Sequence, residues 1–417
     1  MKLSTKFLML AIALMASFQA QAIGIKPNNN IVDGINYQLN AKKELAVVIK
    51  NTEPYLGDIV IPEKITVDTI TYYVEEIAPG AFSGCSGLTS IEIPRTVTKI
   101  GAEAFKGCTS LTEITLPNRL DEIPVNMFEG CTSLTIVNIP DRVNKMGSGV
   151  FRNCKSLTHI NLPQSLKKIS NNTFEGCASL LSINLPDGTT ELGDYVFKEC
   201  TSMEAIEFPT GVNKIGHSLF FGCVSLKSVS LPMSISRIEK STFEKCSSLT
   251  DVKLPNSIQR IDDDAFKDCS SLDSLILPNS LKILGTGILE DCSSLTKATI
   301  PNALDKIPTG MFKNCTSMET IKIPAGIKEI GGDAFRGCTN MKEIVLPSGL
   351  KSIGTNAFDD CTNLMEVKAE SAAPAKMSSN SFDKVTTREG VLLVRKGAVK
   401  NYEYDKQWCK FLNINIY

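Results

Sequence analysis

The sequence predicts an α/β-type repeat solenoid of thirteen coils, each twenty-three residues long. Three observations lead to this fold class. A cysteine recurs at one constant interval, from Cys85 to Cys108 and onward to Cys361, every interval repeats one order of apolar residues, and a proline stands nine residues after every one of these cysteines except Cys361. A fixed period of this length is typical of solenoids, in which a unit buries its apolar face only by stacking on its neighbours.

Each coil contains a strand, a second extended segment and a turn. Positions are numbered here from the cysteine that starts each coil. Apolar residues at +6 and +8 alternate with polar ones, which predicts a short strand, and the proline at +9 ends it. Apolar residues at +12 and +15 predict a second, shorter extended segment. The closing Ala-Phe-x-Gly-Cys is predicted to be one turn of α- or 3₁₀-helix, and glycine at +16, as in Gly101 and Gly147, predicts a corner.

The N-terminus has the three parts of a secretory signal peptide. Lys2 and Lys6 precede the apolar run 7–18, and Ala20-Gln21-Ala22 follows as a cleavage site. A membrane anchor is the alternative, but the run is too short to span a bilayer comfortably. We therefore expect residues 1–22 to be removed, which changes the formal charge from −1 to −3, since two lysines are lost. We expect an exported protein, at the cell surface, secreted or periplasmic, without later membrane insertion.

The flanks of the repeats predict caps. Residues 23–79 are predicted to hold a leader and an N-terminal cap, with a hairpin turn at Asp33-Gly34. The solenoid is predicted over 80–370. Residues 371–417 are predicted to form a C-terminal cap with a strand at 391–394, and Trp408 is expected to cover the last coil rather than bind a partner.

The pattern L-x-x-I-x-L-P-x-x-L-x-x-I-G-x-x-A-F-x-G-C resembles the BspA-like leucine-rich repeats of bacterial and protist surface proteins. One coil shows it with Leu111, Ile114, Leu116, Pro117, Phe128, Gly130 and Cys131. The resemblance covers the thirteen repeats and both flanks, although Arg395 stands where many members carry proline. It implies a leucine-rich-repeat solenoid with a parallel β-sheet on the concave side, and an exported protein that takes part in adhesion to host proteins or other cells.

No catalytic or metal site is predicted. Cysteines related by translation do not converge on one point as zinc ligands do, so we expect thirteen buried, reduced thiols and a more exposed Cys409. His159 and His217 are expected to be surface residues, since neither has a partner at a metal or catalytic spacing. Asp262-Asp263-Asp264 lacks the ligand spacing of a calcium loop, so a solvated corner is expected there. We expect no cofactor and no enzymatic activity.

Two charged surfaces are predicted. The first consists of the outward strand positions +5 and +7 on the concave side, which carry no Phe, Tyr or Trp and therefore disfavour glycan binding. Its candidate binding residues are Glu92, Glu113, Asn138, His159, Asn161, Asn184, Glu207, Asp251, Lys253, Lys297, Lys322 and Glu343. The second, at +14, is either an anion-binding edge or, as we favour, a solvated face whose lysine stems cover the core. It consists of Lys99, Lys145, Lys168, Lys214, Arg237, Arg260 and Lys306, interrupted by Glu122, Glu191 and Glu329.

These features predict a non-catalytic binding protein that recognises a protein partner, on a host or another cell surface, through the concave face. The alternative is a structural spacer at the cell surface without a specific ligand, and an enzyme or glycan binder comes third. The near-neutral formal charge of −1 gives no sign of a nucleic-acid or polyanion binder, so no nucleic-acid partner is expected. We expect a monomer.

Overall fold

The computed structural model describes residues 30–378 and 380–417, so the predicted signal peptide lies outside the described residues. The chain divides into two compact units, one ending at Cys177 and one beginning at Ala178. Each unit is a β-solenoid. Among the described residues, no helix combines the length and the apolar character needed to cross a bilayer.

The first unit begins with two antiparallel hairpins that lead into the coils. The turn at Asp33-Gly34 has positive φ at both residues, as the sequence predicts for a tight hairpin. A third hairpin joins the fifth and sixth strands, and the sixth pairs in parallel with the third. The strands are β1 Asn30–Val32, β2 Ile35–Asn40, β3 Leu45–Val48, β4 Gly57–Val60, β5 Lys64–Val67 and β6 Ile70–Ile77.

Every regular coil of the first unit contributes short parallel strands. Where a first strand is assigned it covers +5 to +7, or +3 to +7 in the coil of Cys85, and the second strand covers +14 and +15, so the predicted second extended segment is confirmed. Glu122 pairs with Lys145 and Thr115 with Asn138, each 23 residues on. The strands are β7 Leu88–Glu92, β8 Lys99–Ile100, β9 Glu113–Thr115, β10 Glu122–Ile123, β11 Ile136–Asn138, β12 Lys145–Met146 and β13 Lys168–Ile169.

The second unit repeats this arrangement with the same register. Ser230 pairs with Lys253, and Arg237 with Arg260 and then Ile283, each step advancing by one whole coil. Its coil strands are β14 Glu191–Leu192, β15 Ser228–Ser230, β16 Arg237–Ile238, β17 Asp251–Lys253, β18 Arg260–Ile261, β19 Ser274–Leu275, β20 Ile283–Leu284, β21 Lys297–Ala298, β22 Lys306–Ile307, β23 Glu329–Ile330, β24 Glu343–Leu346, β25 Ser352–Ile353, β26 Glu366–Ala369 and β27 Lys376–Met377.

The second unit closes with short helices and two further parallel strands. The strand β28 Val391–Val394 pairs with β26, and β29 Asn413–Ile416 pairs with β28. The helices are α1 Lys384–Glu389 and α2 Val399–Glu403, and a 3₁₀ turn covers Trp408–Lys410. Trp408 is only 1% exposed and its ring packs on Phe382, at the end of the phenylalanine column. Its predicted covering role is thus confirmed.

The segment around each phenylalanine is a series of turns, so the predicted helical turn is wrong. Residues at +18 and +22 have left-handed backbones, as at Asn126 and Gly130, and two such residues so close together interrupt a right-handed helix. The backbone N–H groups of the segment instead donate hydrogen bonds to backbone carbonyls of the next coil. Phe105 N donates to Met127 O at 3.0 Å, and Gly107 N donates to Glu129 O at 2.7 Å.

Glycine at +16 is needed for close approach between coils, not for an unusual backbone angle. A Cβ atom on Gly147 would lie 2.5 Å from Val125 N, and one on Gly285 would lie 2.3 Å from Asp263 N. Neither glycine has a positive φ. The corner is therefore a place where one coil's backbone rests directly on its neighbour.

Phenylalanines stack in columns at the core of both units. In the first unit, Phe82, Phe105 and Phe128 follow at centroid distances of 5.3 and 5.7 Å. In the second, Phe243 lies 5.5 Å from Phe220 and 5.1 Å from Phe266. Interplanar angles of 10–12° show that the rings stand nearly parallel, as expected for translated copies of one residue.

Candidate binding face

The twelve candidate residues are all exposed. We call the surface made by positions +5 and +7 of the coils the strand face and describe it separately in each unit. Most side chains at +6 between them, such as Ile114 and Val229, are buried, and Val252 and Ala298 are half-buried. Alternation along a strand thus places the polar side chains outward, as predicted. His159, Asn161 and Lys322 lie at the same positions of coils whose first segment has no assigned strand.

The strand face rests on a paired backbone. In the first unit, residues 113–115 pair in register with residues 136–138. Asn138 Nδ2 also donates to Thr115 Oγ1 at 3.0 Å, which links neighbouring coils on the surface. In the second unit, Asn184 and Glu207 form a parallel bridge. A face built this way holds its side chains at fixed intervals of about 4.8 Å from coil to coil.

Shallow depressions lie along the strand face of each unit. In the first, a depression of about 550 Å³ is lined by Ser90, Glu92, Glu113, Thr115 and Pro117. In the second, one of about 460 Å³ is lined by residues that include Lys322, Val345 and Glu370. The polar groups that line each depression come from neighbouring coils.

The charged stripe at +14 is largely neutralised, which favours the solvated face over an anion-binding edge. Two of the glutamates that interrupt the stripe pair with the next basic residue, and Asp262 pairs with two arginines. The ion pairs are Lys99 with Glu76 at 3.5 Å, Lys145 with Glu122 at 3.2 Å, Lys214 with Glu191 at 2.7 Å, and Arg237 and Arg260 with Asp262 at 2.6 and 2.5 Å.

The three consecutive aspartates do not form a solvated corner, so that prediction is wrong. Asp262 is 7% exposed because both arginines cover it. Burial would raise the pKa of this carboxyl, but the two arginines outweigh burial and hold it below its usual value. Asp263 instead accepts hydrogen bonds from Thr286, and Asp264 has a left-handed backbone. The three carboxylates therefore serve separate contacts rather than one cation.

Both histidines are exposed, as predicted. His217 has a neighbour that the sequence did not indicate, since its Nδ1 lies 3.6 Å from Glu239 Oε2.

Three aspartates form an acidic cluster near the C-terminus. Asp359, Asp360 and Asp383 bring carboxylate oxygens within 4.8 Å of one another. Arg336 pairs with the first two, and Asp383 accepts from Val385 N as the cap of α1, so this group has a structural role.

A column of alternating charges runs along position +21, and the sequence analysis missed it. In the first unit Lys106, Glu129 and Arg152 follow one another, with Glu129 paired to both at 3.0 and 3.8 Å. In the second unit Glu290 lies between Lys267 at 3.3 Å and Lys313 at 2.9 Å. Comparing equivalent positions of successive coils would have shown the alternation. The column links coils beside the phenylalanines.

The substitution Glu290→Gln tests this column. Burial would raise the pKa of Glu290, but the two lysines outweigh it and the pKa lies below its usual value. The carboxylate therefore stabilises the fold above its unfolded pKa, and this contribution is lost as pH falls through the lower folded value. We expect the variant to lose about 1 kcal/mol at neutral pH and to approach the parent in acid, as measured by urea unfolding across pH. An equal difference at every pH would contradict the assignment.

The thirteen cysteines at the coil starts are buried and unpaired, as predicted, and Cys409 is exposed. The thiols are not merely small apolar groups. Eleven of them donate a hydrogen bond to the carbonyl of the residue 26 positions earlier, as in Cys131 to Phe105 O at 3.1 Å and Cys246 to Phe220 O at 3.1 Å. At the start of the series, Cys85 accepts from Tyr55 N at 3.3 Å.

Thiol titration tests the burial of this ladder. Burial raises the pKa of the Cys223 and Cys338 thiols to about 12, so their reactive thiolate forms are scarce at neutral pH. We expect Ellman's reagent to modify only Cys409 in the folded protein and all fourteen cysteines after denaturation. The variant Cys409→Ser should show no fast-reacting thiol. Rapid reaction of several thiols in that folded variant would show that the ladder is open to solvent.

Comparison with known proteins gives one family match. The family model described as "BspA type Leucine rich repeat region (6 copies)" matches residues 62–181, 167–296 and 286–393. No curated protein matches the chain.

Solved structures of bacterial leucine-rich-repeat proteins are similar to the chain. A leucine-rich repeat protein from Bacteroides ovatus is 30% identical with a TM-score of 0.69, over 82% of this chain and 94% of that one. A leucine rich cell surface protein from Faecalibacterium prausnitzii is 27% identical with a TM-score of 0.57, over 82% and 95%. The pneumococcal vaccine antigen PcpA, at 19% identity and a TM-score of 0.50 over 95% and 99%, shares the fold.

Proposed function

The chain belongs to the BspA-type leucine-rich-repeat family, and from this premise we propose that it is an exported, non-catalytic protein that recognises a protein partner through its strand face. Proteins of this fold present long regular surfaces made of many short strands, which suit the binding of other macromolecules. The partner is a protein of a host or of another cell surface. The relative from Faecalibacterium prausnitzii is described as a cell surface protein, which supports the same location here.

One observation carries this proposal: the strand face exposes polar side chains in fixed columns on a hydrogen-bonded backbone. All twelve residues from Glu92 to Glu343 point outward, while the apolar residues at +6 are buried or, at Val252 and Ala298, half-buried. A preorganised surface of this kind loses little conformational entropy when a partner docks. Its depressions are shallow, which suits a broad protein contact better than a small substrate.

A binding screen with the protein beginning at Ile23 tests the proposal. The protein is immobilised and tested against purified matrix and cell-surface proteins. A variant with Glu92→Lys, Asn161→Lys and Lys253→Glu changes only the strand face. We expect it to bind the captured partner about tenfold more weakly, because reversed charges in an interface cost binding energy.

A matched control carries three changes of the same kinds beside the second strands, Asp305→Lys, Asn144→Lys and Lys328→Glu, all at exposed positions. It should bind as the parent does. Equal loss in both variants, or binding unaffected by the strand-face changes, would contradict recognition through this surface. Failure of the whole screen would favour the alternative of a structural spacer without a ligand.

A further inference from the structure

The strand face of the second unit contains a column with two kinds of exposed side chain. Position +7 of five successive coils is occupied by Lys253, Ile276, Thr299, Lys322 and Val345. All five are exposed, and Ile276 is 76% and Val345 40% exposed. Each lysine is followed, one coil on, by an apolar residue. We call these five residues the +7 column.

In the described part of the second unit, the lysines of the +7 column have no side-chain partner. Within residues 178–378 and 380–417, no ion pair or hydrogen bond engages the ammonium group of Lys253 or Lys322. The same holds for Lys297, which lies two residues before Thr299 on the same face. These positive charges are therefore available to a ligand.

Lysines at +4, one position before the strand face, differ from these because they form ion pairs within the fold. At +4 of their coils, Lys227 pairs with Glu204 at 2.8 Å and Lys342 pairs with Glu319 at 2.9 Å. These glutamates lie at the equivalent position of the preceding coil, so the fold neutralises the charge. At +5 beside the column, Asp251 precedes Lys253 and Thr320 precedes Lys322. Asp251, and Glu343 one coil after Thr320, are exposed on the same face, but neither forms an ion pair with the two lysines in the second unit as the structure describes it.

The spacing of the column defines the ligand. Three coils separate Lys253 from Lys322, which is about 14 Å at the strand spacing of a β-sheet. An extended peptide advances about 3.3 Å per residue and shows every second side chain to one face, so residues four apart span about 13 Å on that face. The residue midway between them would face the segment between Ile276 and Thr299.

We propose that the +7 column binds an extended acidic peptide segment of a protein partner, with carboxylates four residues apart on Lys253 and Lys322 and an apolar side chain between them against Ile276. Lys297 supplies a further positive charge beside the path. This rests on the proposed function and specifies the chemistry of the partner at one part of the strand face. Apolar contact adds to charge pairing here, since Ile276 loses most of its exposed area when covered.

Peptide binding to the intact protein tests the inference. The probe is a fluorescein-labelled peptide, Gly-Ser-Thr-Glu-Thr-Ile-Thr-Glu-Thr-Ser-Gly, measured by fluorescence anisotropy. We expect binding that weakens as ionic strength rises. The variant Lys253→Glu/Lys297→Glu/Lys322→Glu should bind about tenfold more weakly. The control Lys282→Glu/Lys328→Glu/Lys351→Glu, with the same change in net charge at exposed positions beside the second strands, should bind like the parent.

Three further probes separate the outcomes. A peptide with lysine in place of both glutamates should not bind, and one with serine in place of isoleucine should bind more weakly than the first. Equal binding of the serine peptide, or stronger lysine-dependent binding of heparin, would overturn the patterned site and indicate a general polyanion surface. One outcome would overturn this inference and leave the proposed function standing. In it, none of the peptides binds, but a partner from the protein screen does, and its affinity falls in Glu92→Lys and not in the triple-lysine variant.

Discussion

Replacing Phe243 by alanine should destabilise the second unit by about 3–5 kcal/mol, the usual cost of removing a buried ring. Phe243 is 0% exposed and stacks between Phe220 and Phe266 at 5.5 and 5.1 Å. Its loss therefore removes contacts with two coils at once and leaves a cavity in the column. Urea or thermal unfolding of the purified variant measures the effect.

A leucine substitution is the matched control. Leu289 already occupies the equivalent position of another coil and is 0% exposed there, so the column accepts this side chain. Phe243→Leu should cost about 1–1.5 kcal/mol, because it replaces one apolar residue by a smaller one without removing the whole side chain. A loss of less than about 1 kcal/mol in Phe243→Ala would mean that the column does not hold the coils together.

Replacing Trp408 by alanine should destabilise the C-terminal end of the second unit by a similar amount, about 3–5 kcal/mol. Trp408 packs against Tyr402 and Phe382 at 5.2 and 5.8 Å, and its Nε1–H donates to Ala375 O at 2.8 Å. The substitution removes the cover of the last coils and leaves a buried carbonyl without its donor. Hydrogen exchange should rise first in residues 358–394, because the exposed end of a solenoid frays before its middle.

The substitution Trp408→Phe separates the contribution of ring packing from that of the hydrogen bond to Ala375 O. It keeps most of the ring and loses only the indole donor, so we expect a cost of about 1–2 kcal/mol and little fraying. If Trp408→Ala left hydrogen exchange in residues 358–394 unchanged, the tryptophan would not act as a cap. Its near-complete burial would then need another explanation.

The columns of the core could be predicted from the sequence because translation by one period brings identical residues together. Cys108 and Cys131, or Phe105 and Phe128, are neighbours in any in-phase stack. The alternation of polar and apolar residues around Ile114 predicts which side chains of the strand face are exposed. The proline at +9 predicts where the strand ends, because it cannot donate a backbone hydrogen bond. Fold class and the outward direction of the twelve residues therefore needed only local patterns and one fixed period.

Other features depend on geometry between coils that no local pattern expresses. The donation from Cys131 to Phe105 O requires the position of the previous coil's turn. The left-handed residues did leave a signal, since asparagine, aspartate and glycine are common at +18 and +22, as in Asn126, Asp264 and Gly130. The apolar spacing of the segment predicts a helical turn because it does not distinguish such a turn from stacked turns. Which lysines lack partners likewise depends on contacts across coils.

Spin-label distances within the second unit test most directly whether the coils stack in phase, on which the strand face and its proposed ligand both depend. Label pairs are placed at exposed +13 positions, Ser236 with Lys328 and Ser236 with Lys351, four and five coils apart, in a Cys409→Ser background. Double electron–electron resonance then reports the separation of each pair.

In-phase stacking predicts separations of about 19 and 24 Å, so that each added coil lengthens the distance by about 5 Å. Broad distributions centred far beyond these values, or no constant increment per coil, would contradict it.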